Sequence, residues 1–383
     1  MLIEKRFVSP LEGIALLREV FGKKIAFLEA CAKNPTFSSQ RRDLAKRVAT
    51  FMKMKLQHTM FVHKEGMNIL QMLQKASLEN PRAQALIDTS LDAFSNAQAY
   101  NLAMKFVHVY NKALLWHDLG RVAEFDENLK PTGIDHAVVS REILEEKKAE
   151  EMVVLIVRNH GYQTNKKMYE MCEKDPLFAL FTEEEQKACK LLSLMVRDAD
   201  KLGNWRTFVR QGINREITQR IKPEIFRNQV SIGSYEMECV RNNMPVDYAK
   251  YSNFSGVQIA HIMWSADMAF GSTKEAAIKS GLVDGMLSYM NEVAQDDTAK
   301  AISKKETGAI EDYQKFLRQT KEAFQIFQKN GWISSHSEFD NVEILNSFIK
   351  RLKTKNFVRP HVLTNGLRRY NKQLVNNMQL NGR

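Results

Sequence analysis

Four histidines and two aspartates of this chain fall where a helical protein rarely places polar side chains. Each lies on the apolar face of an amphipathic segment or at the end of one, so its side chain is directed toward the interior. Burying a carboxylate without a partner is expensive, and such groups usually pair with one another or bind a metal ion. The six residues are His58, His117, Asp118, His136, His160 and Asp200.

The segment around His58 has the pattern of a long amphipathic helix. Apolar residues recur at steps of three, four or seven from Leu44 to Leu73, and His58 falls in the same stripe. His58 is therefore expected to point inward. His63 lies about 140° further around the helix, so we expect it to be exposed or satisfied by a neighbouring group.

A second helix is predicted through residues 101–118, NLAMKFVHVYNKALLWHD. Gly120 ends it, because glycine readily adopts the left-handed conformation found at helix ends. This prediction places His117 and Asp118 in the last turn of the helix.

The remaining three residues lie on three further predicted helices. Asp135 is a capping residue for a helix that His136 opens, and His160 closes the helix EEMVVLIVRNH. Asp200 continues an apolar i, i+4 series on a longer helix, so it also points toward the core.

Together these side chains form a mixed imidazole and carboxylate donor set. Such a set suits borderline and hard divalent ions, of which Mn, Fe, Zn and Mg are the candidates. The competing interpretation is that each histidine is satisfied separately within the core. Spacing alone does not decide between the two.

The motifs taken in order resemble the HD-domain superfamily of metal-dependent phosphohydrolases. The resemblance extends over roughly residues 40 to 295 and rests on five motifs. These are His58-Thr59, His117-Asp118-Leu119-Gly120-Arg121, Asp135-His136, Asn159-His160 and Arg197-Asp198-Ala199-Asp200-Lys201.

The resemblance implies an all-α, HD-domain helical bundle with additional N- and C-terminal helices, and a centre for one or two divalent ions. The first ion would be held by His58, His117, Asp118 and Asp200. The second would be held by His136 and His160, with Asp118 bridging the pair. Gly203-Asn204-Trp205 replaces a common acidic continuation, which we expect to alter the pocket wall but to spare the ligands.

Such a site would hydrolyse a phosphate ester with metal-activated water, and Asp118 would be central to catalysis. Arg121 and Lys201 are candidates for stabilising charge on the phosphoryl oxygens, although a salt bridge to a nearby carboxylate is an equal alternative for each. Asp198 is either a proton acceptor or the partner of a nearby cation.

Composition and charge divide the chain further. With 44% hydrophobic and 26% charged residues it resembles an ordinary folded protein, and no segment approaches the roughly 20 apolar residues of a bilayer span. We expect a cytoplasmic protein without a membrane partner, with reduced cysteines. Three regions are predicted: an N-terminal helical extension (1–40), the HD phosphohydrolase domain (41–295) and a basic C-terminal helical segment (296–383).

The sequence thus predicts hydrolysis of a phosphomonoester or phosphodiester, in a nucleotide or a nucleotide-derived signal. The alternative is a regulatory or nucleic-acid-binding protein with a structural metal site. Its support is the tail, because residues 344–383 contain nine Lys and Arg residues and no Asp or Glu. A homo-oligomer is compatible with either interpretation.

Overall fold

The computed structural model describes residues 10–87, 91–211, 229–247, 250 and 253–333. Among these residues the secondary structure is helical, and β-pairing is limited to isolated bridges. The all-α prediction is confirmed. The basic tail that suggested nucleic-acid binding lies outside the described residues. Within the described part, no helix combines the length and the apolar character that a membrane crossing requires.

The described residues divide into two compact units. The first unit runs to Asn204 and also includes Met268–Thr273, and the second comprises Trp205–Asp267 and the residues from Lys274 onward. The helices that begin in the first unit are α1 (Pro10–Lys33), α2 (Ser39–Glu79), α3 (Asn96–Lys105), α4 (Val107–Trp116), α5 (His136–Glu146), α6 (Glu151–Asn159), α7 (Asn165–Lys174), α8 (Glu183–Gln211) and, after the others in the chain, α11 (Gly271–Lys279).

The helices within the second unit are α9 (Ser234–Arg241), α10 (Phe254–Ile262), α12 (Leu282–Ser303) and α13 (Ala309–Lys329). A short 3-10 helix, Met263–Asp267, continues α10. The three regions predicted from sequence, with boundaries after residues 40 and 295, stay a prediction.

The helix α2 confirms the long amphipathic segment around His58. The Ser38 side chain accepts a hydrogen bond from the Arg41 N–H and so satisfies one of the donors left open at the helix start. The His58 side chain is buried, as predicted. The expectation that a neighbouring group could satisfy His63 also agrees with the structure, because its Nε2 lies 3.1 Å from the Asn111 side-chain oxygen.

The predicted continuous helix over residues 101–118 is wrong. It is divided at Phe106, whose φ of −110° and ψ of 27° are not helical, so that α3 and α4 are separate helices. No glycine or proline marks this break in the sequence. The second helix also ends earlier than expected, since His117 is its C-cap residue and Asp118 precedes a 3-10 helix, Leu119–Ala123.

The central helix of the site, α6, is apolar on nearly every side. Its residues Val153–Val157 are almost completely buried, which explains why the sequence reads VVLIV without a polar interruption. A helix enclosed in this way has a defined position in the core. The residue that caps its C-terminal end, His160, is therefore held in a fixed place.

Close packing of the 3-10 helix against α5 depends on Gly120. A Cβ atom at this position would lie 2.0 Å from the His136 carbonyl oxygen and 2.7 Å from the Ser140 nitrogen. The Ser140 hydroxyl joins the two segments, accepting a hydrogen bond from the Gly120 N–H at 2.7 Å and donating one to the His117 carbonyl at 3.0 Å. Gly120 therefore determines how closely Asp118 and His136 can approach.

Replacing Gly120 with Ala should destabilise the protein by roughly 3 kcal/mol, because the obstructing atoms are backbone atoms that cannot rotate away. The matched control is Gly22→Ala on α1, where nothing lies within 4 Å of the added Cβ. That change should stabilise by about 0.5–1 kcal/mol through helix propensity. Urea denaturation should give a midpoint below that of the wild type for Gly120→Ala and above it for Gly22→Ala. Equal midpoints for the two variants would contradict the packing argument.

Candidate metal centre

The six predicted ligands lie together in the first unit as two adjoining groups of three. One group is His58, His117 and Asp200, and the other is Asp118, His136 and His160. Within each group, one nitrogen or oxygen atom per residue lies within 4.8 Å of the others. The prediction that they share one place in the fold therefore agrees with the structure, whereas their roles as ligands stay a prediction.

The Asp200 carboxylate organises the first group. Its Oδ1 lies 2.9 Å from His58 Nε2 and 3.5 Å from His117 Nε2. Asn204, one turn further along α8, donates from its side-chain nitrogen to the same oxygen at 2.9 Å. Gly203-Asn204-Trp205 replaces the acidic continuation common in the superfamily. This sequence difference therefore affects a predicted ligand, Asp200, and not only the pocket wall.

The Asp118 carboxylate lies between the two groups. Its Oδ2 is 3.7 Å from His58 Nε2 and 3.8 Å from His117 Nε2. Its Oδ1 is 3.3 Å from His136 Nε2 and 3.7 Å from His160 Nε2. One buried carboxylate therefore offers one oxygen to each group, which is the arrangement that a bridging ligand needs.

Two of the imidazoles are oriented by the backbone of their own helices. His117 Nδ1 lies 2.9 Å from the Leu114 carbonyl oxygen, and His160 Nδ1 lies 2.5 Å from that of Val157. A carbonyl can only accept, so each Nδ1 carries the proton and each Nε2 keeps its lone pair. This pattern fixes the tautomer that a metal ligand requires.

The electrostatics of the six clustered residues favour ionised carboxylates. Burial would raise the pKa of Asp118, but the neighbouring Arg121 and His117 hold it well below its usual value. Burial opposes protonation of His117, yet Asp118 and Asp200 outweigh it and raise the pKa of His117. Burial, reinforced by Arg121, lowers the pKa of His136 well below its usual value.

This donor set fits a divalent ion. His117 Nε2 and Asp118 Oδ2 are buried and make no hydrogen bond to any residue that the structure describes. His136 Nε2 and His160 Nε2 face each other at 3.2 Å, a separation at which two lone pairs repel unless a proton or a cation lies between them. Nitrogen and oxygen donors in these proportions suit Mn²⁺, Fe²⁺ or Zn²⁺ better than ions that prefer oxygen alone.

A buried arginine that the sequence analysis did not assign supports the segment after α6. Arg197 donates to the carbonyl oxygens of His160, at 3.1 Å, and Tyr162. Its Nε donates to the Asn165 side chain at 2.9 Å. Arg197 lies three residues before Asp200 on α8 and therefore joins the helix that carries one predicted ligand to the turn that carries another.

Two cations lie beside the carboxylates. Arg121 Nε donates to Asp118 Oδ1 at 3.0 Å, and its Nη1 lies 2.5 Å from Glu124 Oε1. Lys55 is partly buried, and the charges of Asp118, Glu124 and Asp200 all act on it. Burial, with repulsion from Arg121, lowers the pKa of Lys55.

Lys55 was not among the predicted site residues, although its position in the sequence carried a signal. It lies three residues before His58 on α2, and residues with this spacing share one face of a helix. A cation at that position should have been expected to reach the same group of ligands.

The second predicted cation, Lys201, has a carboxylate partner. Its Nζ lies 3.7 Å from Asp198 Oδ1, and both side chains are buried. Asp198 also accepts hydrogen bonds from the backbone N–H groups of Ala269, at 3.0 Å, and Phe270, at 3.1 Å. The structure thus favours the paired alternative for Asp198, while a substrate role for Lys201 stays a prediction.

Comparison with known proteins agrees with this geometry. Residues 88–205 match the family model of the HD domain, a range that contains five of the six clustered residues but not His58. Searches of curated proteins and of solved structures found no match to the chain. The match over residues 88–205 is therefore consistent with the superfamily of HD-domain metal-dependent phosphohydrolases.

Proposed function

We propose that this protein is a metal-dependent phosphohydrolase that cleaves a phosphomonoester or phosphodiester. The observation that carries the proposal is the Asp118 carboxylate, which is buried between two groups of imidazoles and faces both. A carboxylate in this position is costly to bury unless cations neutralise it. Arg121 supplies one positive charge, and the remaining donor atoms supply ligands for divalent ions.

The proposed ligands divide into two sets that share Asp118. His58, His117 and Asp200 would hold one ion with Asp118, and His136 and His160 would complete a second site. Divalent ions bound there would polarise a phosphoryl oxygen and lower the pKa of a coordinated water, which supplies a nucleophile near neutral pH. Asn204 would keep the Asp200 carboxylate in position for this purpose.

The substrate class follows from the cations at the site. Lys55 and Arg121 place two positive charges beside the carboxylates, so the proposed substrate is an anionic phosphate ester. Glu124 holds one end of the Arg121 guanidinium and limits its rotation. We propose a nucleotide or a nucleotide-derived signal, since these are the phosphate esters that the sequence resemblance suggests.

Removing the shared carboxylate should abolish both metal binding and activity. Asp118→Ala should reduce bound metal from about two ions per chain to less than one and lower phosphoester hydrolysis by at least about a thousandfold. The matched control is Asp43→Ala on α2, an exposed carboxylate, which should leave both unchanged. Elemental analysis and a phosphoester panel with added Mn²⁺ make the measurement.

Loss of activity with undiminished metal content in Asp118→Ala would contradict the bridging role. A wild-type protein that holds no transition metal and cleaves no member of the panel would overturn the proposed function as a whole.

The affinity for Mn²⁺ should fall as the pH is lowered from 8 to 6. The raised pKa of His117 means that a proton competes for its Nε2 already above the usual imidazole value of about 6.5. Asp118 stays ionised over this range and adds no dependence. We expect a loss approaching tenfold per pH unit once His117 is protonated, measured by calorimetric titration at several pH values.

The control for this measurement is His63→Gln, because His63 bonds to Asn111 and lies outside the two groups. This variant should keep the wild-type pH dependence. An affinity that does not vary between pH 6 and pH 8 would contradict proton competition at His117.

Lys55 should contribute to substrate binding more than to stability. Lys55→Met keeps the length of the side chain but removes its charge, and should raise KM for a phosphate ester by about tenfold or more. The matched control is Lys53→Met on the same helix, where the lysine is exposed and pairs with Glu29. Steady-state kinetics test the difference, and equal KM values for the two variants would exclude Lys55 from the substrate site.

A further inference from the structure

Three aromatic rings form a contiguous group in the second unit. The His261 ring lies between Phe208 and Trp264, with ring centroids 4.7 Å from each. The Phe208 and Trp264 centroids are 6.4 Å apart, and their planes differ by 31°. The His261 and Trp264 planes differ by 57°, so the three rings pack at inclined angles and do not form one flat surface.

These rings differ from another aromatic pair of the same unit. Trp205 and Trp332 are buried, meet edge to face, and the Trp205 indole N–H donates to the His261 carbonyl at 2.7 Å. That pair has the properties of a hydrophobic core. Phe208, His261 and Trp264, in contrast, are all partly exposed.

A buried amide lies beside the aromatic group. Gln258 precedes His261 by three residues on α10, so the two side chains share one face of the helix. The Gln258 side chain is fully buried, and among the described residues neither its Nε2 nor its Oε1 has a hydrogen-bond partner. Ser265, four residues after His261, is also buried, and its hydroxyl has no partner within the same described part of the chain.

Unpartnered buried amides lower the stability of a protein, since the desolvation of each polar atom is not repaid. An apolar residue of similar shape would be better for folding at position 258. A glutamine there is explained by a ligand that uses both its donor and its acceptor. Planar stacking surfaces next to an amide with this bonding capacity match the chemistry of a nucleobase, which has a π-face and an edge of donors and acceptors.

We infer that the second unit binds a nucleobase, stacked on the ring of Trp264 within the group that Phe208 and His261 complete, and hydrogen-bonded along its edge by Gln258. This site is additional to the proposed hydrolysis. It does not depend on metal, and it recognises the base and not the phosphate.

Binding is tested with adenosine, guanosine, cytidine and uridine, which lack a phosphate group. The chain has four tryptophans, and three of them, Trp116, Trp205 and Trp332, are buried. Saturable quenching of tryptophan fluorescence by a nucleoside therefore reports on Trp264. Ribose 5-phosphate, which has no base, should produce no quenching.

The variants Trp264→Phe and Trp264→Ala test whether the fluorescence signal comes from Trp264. Trp116→Phe, in the first unit, is their matched control. Quenching should persist in Trp116→Phe and disappear in Trp264→Phe, which keeps an aromatic ring and should still bind nucleoside in calorimetry. Trp264→Ala should weaken calorimetric binding by about tenfold, the contribution typical of one stacked base.

Gln258→Leu distinguishes a ligand role from a structural one. If the amide serves a ligand, this variant should melt at the wild-type temperature or higher, yet bind nucleosides more weakly and with less discrimination among the four bases. The matched control is Gln325→Leu at an exposed position of α13, which should bind as the wild type does.

A lower melting temperature for Gln258→Leu would show that the amide is structural and would overturn the proposal. The absence of saturable nucleoside binding to the wild-type protein would do the same. Neither result bears on phosphoester hydrolysis, because both concern nucleosides, which contain no phosphate ester.

Discussion

The arrangement of the first unit depends on one buried carboxylate, that of Asp118. A negative charge in the interior is tolerated only when neighbouring groups neutralise it or bond to it. Arg121 provides an ion pair on one side, and imidazoles from α2, α4, α5 and α6 or their ends surround the rest. The helices of this unit can therefore be understood as the means of bringing these groups to a single carboxylate.

Backbone contacts give this arrangement its precision. Gly120 allows the turn after Asp118 to approach α5 closely, and the Ser140 hydroxyl bonds to both sides of that turn. Gly203 has a similar role, because a Cβ there would lie 2.6 Å from the Val62 side chain on α2. Each glycine permits two helices that carry candidate ligands to pack at short distance. The ligand geometry is thus determined by the packing of the helices and not only by the side chains.

Hydrogen bonds outside the donor set complete the organisation of the centre. The carbonyls of Leu114 and Val157 orient two imidazoles, and Asn204 and Arg197 hold a carboxylate and a turn in place. Supporting contacts of this kind determine which nitrogen of a histidine faces a metal and how freely the ring rotates.

The amino-acid sequence by itself determined the helical class, the inward direction of His58 and the terminal positions of His136 and His160. These features follow from local periodicity and capping, which depend on neighbouring residues in the chain. The order of the histidine and aspartate motifs also sufficed to suggest an HD domain. The tertiary structure alone decided the break at Phe106, the hydrogen bonds from the backbone of Ala269 and Phe270 to Asp198, and the place of Asp118 between the two groups of imidazoles. These outcomes depend on which helices pack together and how closely, and such long-range contacts leave no fixed spacing in the sequence.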